Sequence, residues 1–145
     1  MIFGINTFLF TSPFTNASTS LFPQFKAWGF DSVEIAVEHE SHIDPAYIKS
    51  ELDRHGLVCG TLCGAFGPGR DLRGSREEQE ASLAYIQQLI DIMATLGAST
   101  LAGPVYSAVG RAELVPEQRR EAQWRLVVEN LKQACGYAER QGKKI

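Results

Sequence analysis

The chain has 145 residues, 44% of them apolar and 21% charged, the balance of one globular domain and not of a disordered segment. Fourteen Lys and Arg against 17 Asp and Glu give a net charge of -3, which leaves no basic stripe to neutralise nucleic-acid phosphates. Apolar runs are too short to span a bilayer, and the start MIFGINTFLF lacks the positive n-region and cleavage site of a signal peptide.

Four repeats of one pattern follow: a short apolar run, a loop, an amphipathic segment, a glycine. The first run, Ile2 to Phe8, alternates enough to predict a strand. A polar loop then ends in Ser18, Thr19 and Ser20, candidate caps for a helix carrying Leu21, Phe22, Phe25 and Trp28 and closed by Gly29. The second run is Val33 to Val37. After the polar stretch EHESHI, Asp44 and Pro45 supply an N-cap and a first-turn proline for a helix through Ile48 and Leu52 to His55-Gly56.

The third run, Leu57 to Leu62, leads into a loop holding Gly64, Gly67, Pro68, Gly69 and Gly74. Ser75 starts a long helix with Glu77 and Glu78 in its first turn, striped through Leu83, Ile86, Leu89, Ile90, Met93 and Leu96, and stopped by Gly97. The fourth run is Ser99 to Ala102. Beyond Gly103 to Val115, Pro116 opens a helix striped by Trp124, Val127, Val128, Leu131, Cys135 and Ala138, all predicted to be core. Lys144-Ile145 after Gly142 reads as the opening of a fifth strand.

The organisation is therefore α/β, four βα units with a parallel sheet joined by right-handed crossovers. A single (β/α)8 barrel takes about 250 residues, so the sheet is either half of such a barrel or an open doubly wound domain. No G-x-G-x-x-G or P-loop occurs. Gly64 to Gly69 is a substrate loop or a turn-rich connection, and in an open flavodoxin-like domain it would take a phosphorylated ligand.

Parallel folds place their sites at the C-terminal strand ends, which restricts the search to residues 6–8, 34–42, 63–70 and 103–111. Glu34 interrupts an apolar strand and points to the face opposite Val33 and Ile35, as a hydrogen-bond anchor or a ligand for substrate. Glu38, His39, Glu40 and His42 are donors suited to Zn or Mn, in a spacing that matches no metal signature and equally suits a solvated loop. Cys59 and Cys63, four apart, fall on one face of a strand with α-carbons roughly 13 Å apart at about 3.3 Å per residue, too far for a disulfide or shared metal. Cys63 is placed near a pocket, Cys59 and Cys135 in the core. Three cysteines are too few for a disulfide framework, so the expected compartment is a reducing cytoplasm. The residues alone contain no complete catalytic constellation.

GINTFLFTSP, GFDSVEIAVEH, GLVCGTLCGAFGPGRDL and LGASTLAGPVYS, taken in register, resemble the xylose-isomerase-like sugar isomerase/epimerase superfamily, and within it the D-tagatose/D-psicose (allulose) 3-epimerases. The resemblance implies a (β/α)8 TIM barrel of which residues 1–145 form the N-terminal half, with strands five to eight absent. It implies a divalent metal, usually Mn, held by Glu, Asp, His and Glu. Two further roles fall to glutamates that remove and return a proton beside the ketone of the sugar. All of these belong to strands five to eight, so the resemblance implies no catalytic or metal-binding residue here and no activity for this chain alone.

By position the resemblance assigns Asn6, Phe8, Glu34, Cys63, Gly103 and Tyr106 to the pocket that holds the sugar. Relatives carry aromatics near Asn6 and a Trp over the sugar where this chain has Tyr106 and Ser107. The substrate is therefore left open between a ketohexose and another polyol, keto acid or sugar phosphate. The expected partner is a small sugar, with no nucleic acid and no membrane. A half-barrel also exposes the edges of its first and fourth strands, which predicts a homodimer and admits a second reading, a non-catalytic binding or assembly module.

Overall fold

The structure is a computed structural model that describes residues 1–145. Strands β1 (Gly4–Asn6), β2 (Ser32–Val37), β3 (Val58–Gly64) and β4 (Thr100–Ala102) alternate with helices α1 (Phe22–Ala27), α2 (Pro45–Arg54), α3 (Arg76–Leu96) and α4 (Glu117–Arg140). The strands pair in parallel in the order β1-β2-β3-β4. A doubly wound sheet needs a reversal in strand order, where helices change face. Here there is none, and the four units curl in one direction as the successive units of a barrel do.

Local chemistry sets most boundaries. Asp44 accepts from the Ala46 and Tyr47 amides at 2.9 and 3.1 Å, with Pro45 in the first turn of α2. Ser75 and Glu78 form the reciprocal capping box of α3, and Gly97 ends it. The predicted cap at Ser18 to Ser20 is displaced. Thr15 and Ser18 cap a 3-10 segment at Asn16–Leu21, and α1 proper begins only at Phe22, because Pro23 has no amide to give and fits only a first turn. β1 is shorter than Ile2 to Phe8. Asn6 accepts from the Phe8 amide at 2.7 Å and folds Thr7–Leu9 into a 3-10 turn, ending the strand.

Parallel neighbours in register share a face. The rows Ile5–Val33–Cys59 and Ile35–Leu62–Leu101 point outward to the helices. These residues join α2, α3 and the C-terminal part of α4 in one cluster of 28 buried residues, so the only large core lies on the outer side. The row Asn6–Glu34–Thr61–Thr100 points to the inner, concave side. One irregularity makes this possible. Between Cys59 and Thr61 the register slips at Gly60, whose missing Cβ leaves room for the Ser32 hydroxyl. The slip reverses the alternation, so Cys59 and Cys63 lie on opposite faces and not on the shared face that strict alternation predicts.

Two further expectations are corrected on α4. Trp124 is 71% exposed and Cys135 is also exposed; only Val127, Asn130, Ala134 and Ala138 of this helix are buried. The helix packs on α3 through its C-terminal half, and the upstream part of its stripe lies beyond that contact, so Trp124 stays largely exposed. The expected fifth strand does open: Lys144 bridges Thr100 in parallel, exchanging bonds with Ser99 and Leu101 at 3.0 and 2.8 Å.

Candidate functional site

The C-terminal strand ends carry a cleft of about 470 Å³ lined by Phe8, Glu38, Cys63, Ala65, Phe66, Gly67, Pro68, Arg70, Pro104 and Val109. Its volume falls within the range of small-ligand sites. Beneath it the inner face is made of small residues, the row Ala36–Cys63–Ala102 followed by Gly103. Gly103 has φ +117°, and a Cβ there would collide with the Gly64 carbonyl and lie 3.2 Å from Cys63 Sγ. That position therefore requires glycine, which lets β3 and β4 close together under the cleft.

One layer below lie Asn6 and Glu34. Asn6 Nδ2 donates to the Glu34 carboxylate, so the half-buried acid is partnered. Thr7, fully buried, accepts the Ala36 amide on its hydroxyl at 2.9 Å and fixes the turn that carries Phe8. Burial, and after it the Glu34 carboxylate, push the Cys63 thiol above its ordinary value, so it is a neutral lining group and not a nucleophile. Cys59 behaves likewise in the core: burial pushes it up to about 12.

Of the residues assigned to the pocket, Asn6, Phe8, Glu34, Cys63 and Gly103 thus stand on or just under one cleft. Tyr106 does not. It is 51% exposed and lines a separate groove of about 440 Å³ with Arg73, Trp124 and Val128. Glu38, His39, Glu40 and His42 do not converge: no three His, Cys, Asp or Glu side chains anywhere meet in a group able to hold a metal. The metal that the resemblance implies finds no donor set among these residues, and no chemistry of this chain is routed through one.

Three side chains that shape the cleft were not singled out by pattern. Tyr85, on the buried face of α3, donates to the Val37 carbonyl and accepts the Ala65 amide at 3.1 Å, tying the ends of β2 and β3 together. Asp71, fully buried, binds Arg73 through Nε at 3.1 Å and Nη2 at 3.0 Å, Arg111 Nη1 at 3.2 Å, and the amides of Arg73 and Ala108. Burial alone would raise its carboxyl; the Arg73 hydrogen bonds, the Ala108 amide and the guanidinium charge outweigh that and hold it below the usual carboxylate range. It joins the loop after β3 to the loop after β4. Arg70 is the third. A tyrosine inside an apolar stripe and the alternating charges of Arg70-Asp71-Leu72-Arg73 were the available signals, since a buried hydroxyl or carboxylate must find partners.

A sequentially ordered parallel sheet, helices on its outer face and a cleft over small residues at the strand ends define half of a (β/α)8 barrel. The chain belongs to the xylose isomerase-like TIM barrel family, whose model matches residues 22–145. It is 32% identical over 120 residues to a probable ketose 3-epimerase of Synechocystis sp., an alignment that covers 82% of this chain and 42% of that protein. A D-allulose 3-epimerase from Methylomonas sp., solved in complex with D-allulose, superposes with a TM-score of 0.86 at 19% identity over 99% of this chain and 49% of its own. A D-psicose 3-epimerase solved in the presence of D-fructose gives 0.81 at 18% identity over 99% and 50%. The chain thus spans about half the length of the relatives it matches.

Proposed function

We propose that residues 1–145 form the N-terminal half of a metal-dependent ketose 3-epimerase, acting by proton abstraction beside a carbonyl, and that this half shapes the sugar pocket. What supports the reading is a strand-end cleft lined by Phe8 and Cys63, with Gly103 closing β3 onto β4 and the Asn6–Glu34 pair one layer below, together with the likeness to the Synechocystis epimerase. Glu34, held by Asn6, offers hydroxyl-binding oxygen at depth, and the small floor admits a sugar ring. The metal ligands and the acid/base glutamates are expected on strands five to eight. Residues 1–145 alone are therefore predicted inactive. Purified chain supplied with Mn and D-fructose, D-psicose or D-tagatose should show no interconversion, and measurable turnover sinks that prediction.

The second reading, a half-barrel that associates with a copy of itself, has a specific observation behind it. The β1 side exposes Phe3, Phe10 and Trp28, at 56%, 41% and 54%, while Trp124 and Leu114 are exposed on the β4 side. Apolar surface on both flanks of an open sheet favours closure by a second set of strands. Light scattering should then report a dimer or larger species; a monodisperse monomer overturns this reading.

A further inference from the structure

Two opposite charges stand side by side on the wall of the cleft, and they do not pair with each other. Arg70 Nη2 donates to the Glu38 main-chain carbonyl at 2.9 Å, and its Cζ lies 3.9 Å over the Tyr85 ring. The Glu38 carboxylate is turned elsewhere, receiving the Ser12 hydroxyl at 2.9 and 3.1 Å on its two oxygens. Tyr85 is itself fixed, its hydroxyl bound to the Val37 carbonyl and the Ala65 amide. Gly67 completes the seat of the guanidinium, since a Cβ there would come within 3.2 Å of Nη2. Glu38 and Arg70 line the cleft; Ser12, in the loop after β1, does not.

A glutamate and an arginine this close would ordinarily satisfy each other as an ion pair. Held apart, both keep capacity for a ligand. The carboxylate accepts from Ser12 and has lone pairs to spare, and the guanidinium gives a donor to the carbonyl and has others left. A hydroxyl donates and accepts at once, so a free acceptor beside free donors matches neighbouring hydroxyls, on a wall whose two charges cancel. We propose that Glu38 and Arg70 act as a pair that binds neighbouring hydroxyls of the sugar, and that Ser12 is the positioning residue that keeps them from collapsing onto each other. None of the three is among the residues that the resemblance assigns to the pocket. The proposal rests on the assignment of the strand-end cleft to a sugar.

The test is amide-resolved NMR titration of the whole chain with D-fructose and D-psicose, repeated on substituted chains. The unmodified chain should respond at Glu38 and at Gly64 to Arg70. Glu38→Gln and Arg70→Met should each weaken binding about tenfold, the worth of one hydrogen bond to a charged group. Ser12→Ala should weaken it as much as Glu38→Gln does, because the released carboxylate turns to Arg70. Ser12→Thr keeps a hydroxyl in place and should keep the affinity, which separates a lost contact from a folding defect. In the Glu38→Gln background Ser12→Ala should add nothing further, since Ser12 acts only through that carboxylate. Unchanged affinity in Glu38→Gln and Arg70→Met overturns the hydroxyl-binding pair and leaves the sugar cleft in place. A Ser12→Ala chain that binds as well as the unmodified one, or a further loss in the Glu38→Gln background, overturns the positioning role. Silence at Glu38 and at Gly64 to Arg70 with both sugars overturns the proposal and the sugar reading beneath it.

Discussion

The two faces of the sheet are built from the same four strands and obey different rules. Outward, Ile5, Val33, Ile35, Val37, Leu62 and Leu101 are at most 8% exposed and share one core with the helices. Inward, Asn6, Glu34, Thr61 and Thr100 form a polar row under a row of small residues, and all four stay partly open to solvent. The outer face holds the fold together; the inner face is polar in spite of the fold, which is where a family places its ligand chemistry.

That contrast can be broken first at a neighbouring pair. Ile35→Ala should cost about 3–4 kcal/mol in chemical denaturation, since a fully buried side chain leaves a cavity. Glu34→Gln, one residue away on the other face, should cost under about 1 kcal/mol because the amide can still accept from Asn6, yet it should weaken sugar binding. Comparable losses of stability at the two positions would erase the division of labour.

Asp71 sharpens the comparison, as a buried charge that serves the inner rim. Asp71→Asn should cost about 2–3 kcal/mol at neutral pH by leaving two guanidinium groups short of their anion, which can still reach water. Its folded carboxyl titrates below the ordinary value, so its contribution is complete above about pH 4 and is lost as the pH falls through the folded value. The stability difference between wild type and Asp71→Asn should be flat from pH 7 to 5 and close in acid. A difference that instead shrinks with rising pH contradicts the arrangement.

The smallest effect is read without a mutation. Native chain treated with an aromatic disulfide reagent should release close to one thiol quickly, from Cys135, and the other two only in denaturant. Rapid release from Cys63 would mean that the inner face is more open than its burial allows.

Sequence periodicity captured the four units and the ends of α2 and α3 because those signals are local: Asp44-Pro45, Ser75 with Glu78, and Gly97 act within one turn. It misread what depends on distant neighbours. A stripe on α4 says which residues share a side, not where α3 stops supporting it, and so Trp124 and Cys135 were assigned to a core they do not enter. Gly60 was visible as a glycine inside a strand, but the bulge that separates Cys59 from Cys63 exists only through pairing with β2. Asn6, Phe8, Cys63 and Gly103 were placed by resemblance, while Arg70, Asp71 and Tyr85 owe their roles to contacts 20 to 48 residues away.

The upstream half of α4 has a mechanical consequence. Its N-cap is Pro116, with no side chain closing the first turn, and residues before Leu126 are almost all exposed, so this end is held by little more than its own backbone bonds. One continuous helix therefore contains two stability regimes, a clamped C-terminal half and an upstream half that frays independently of global unfolding. Arg119, Arg120 and Arg125 lie in the fraying half, so a trypsin-like protease meets its first substrate there, and a nick would leave the sheet and the strand-end cleft standing.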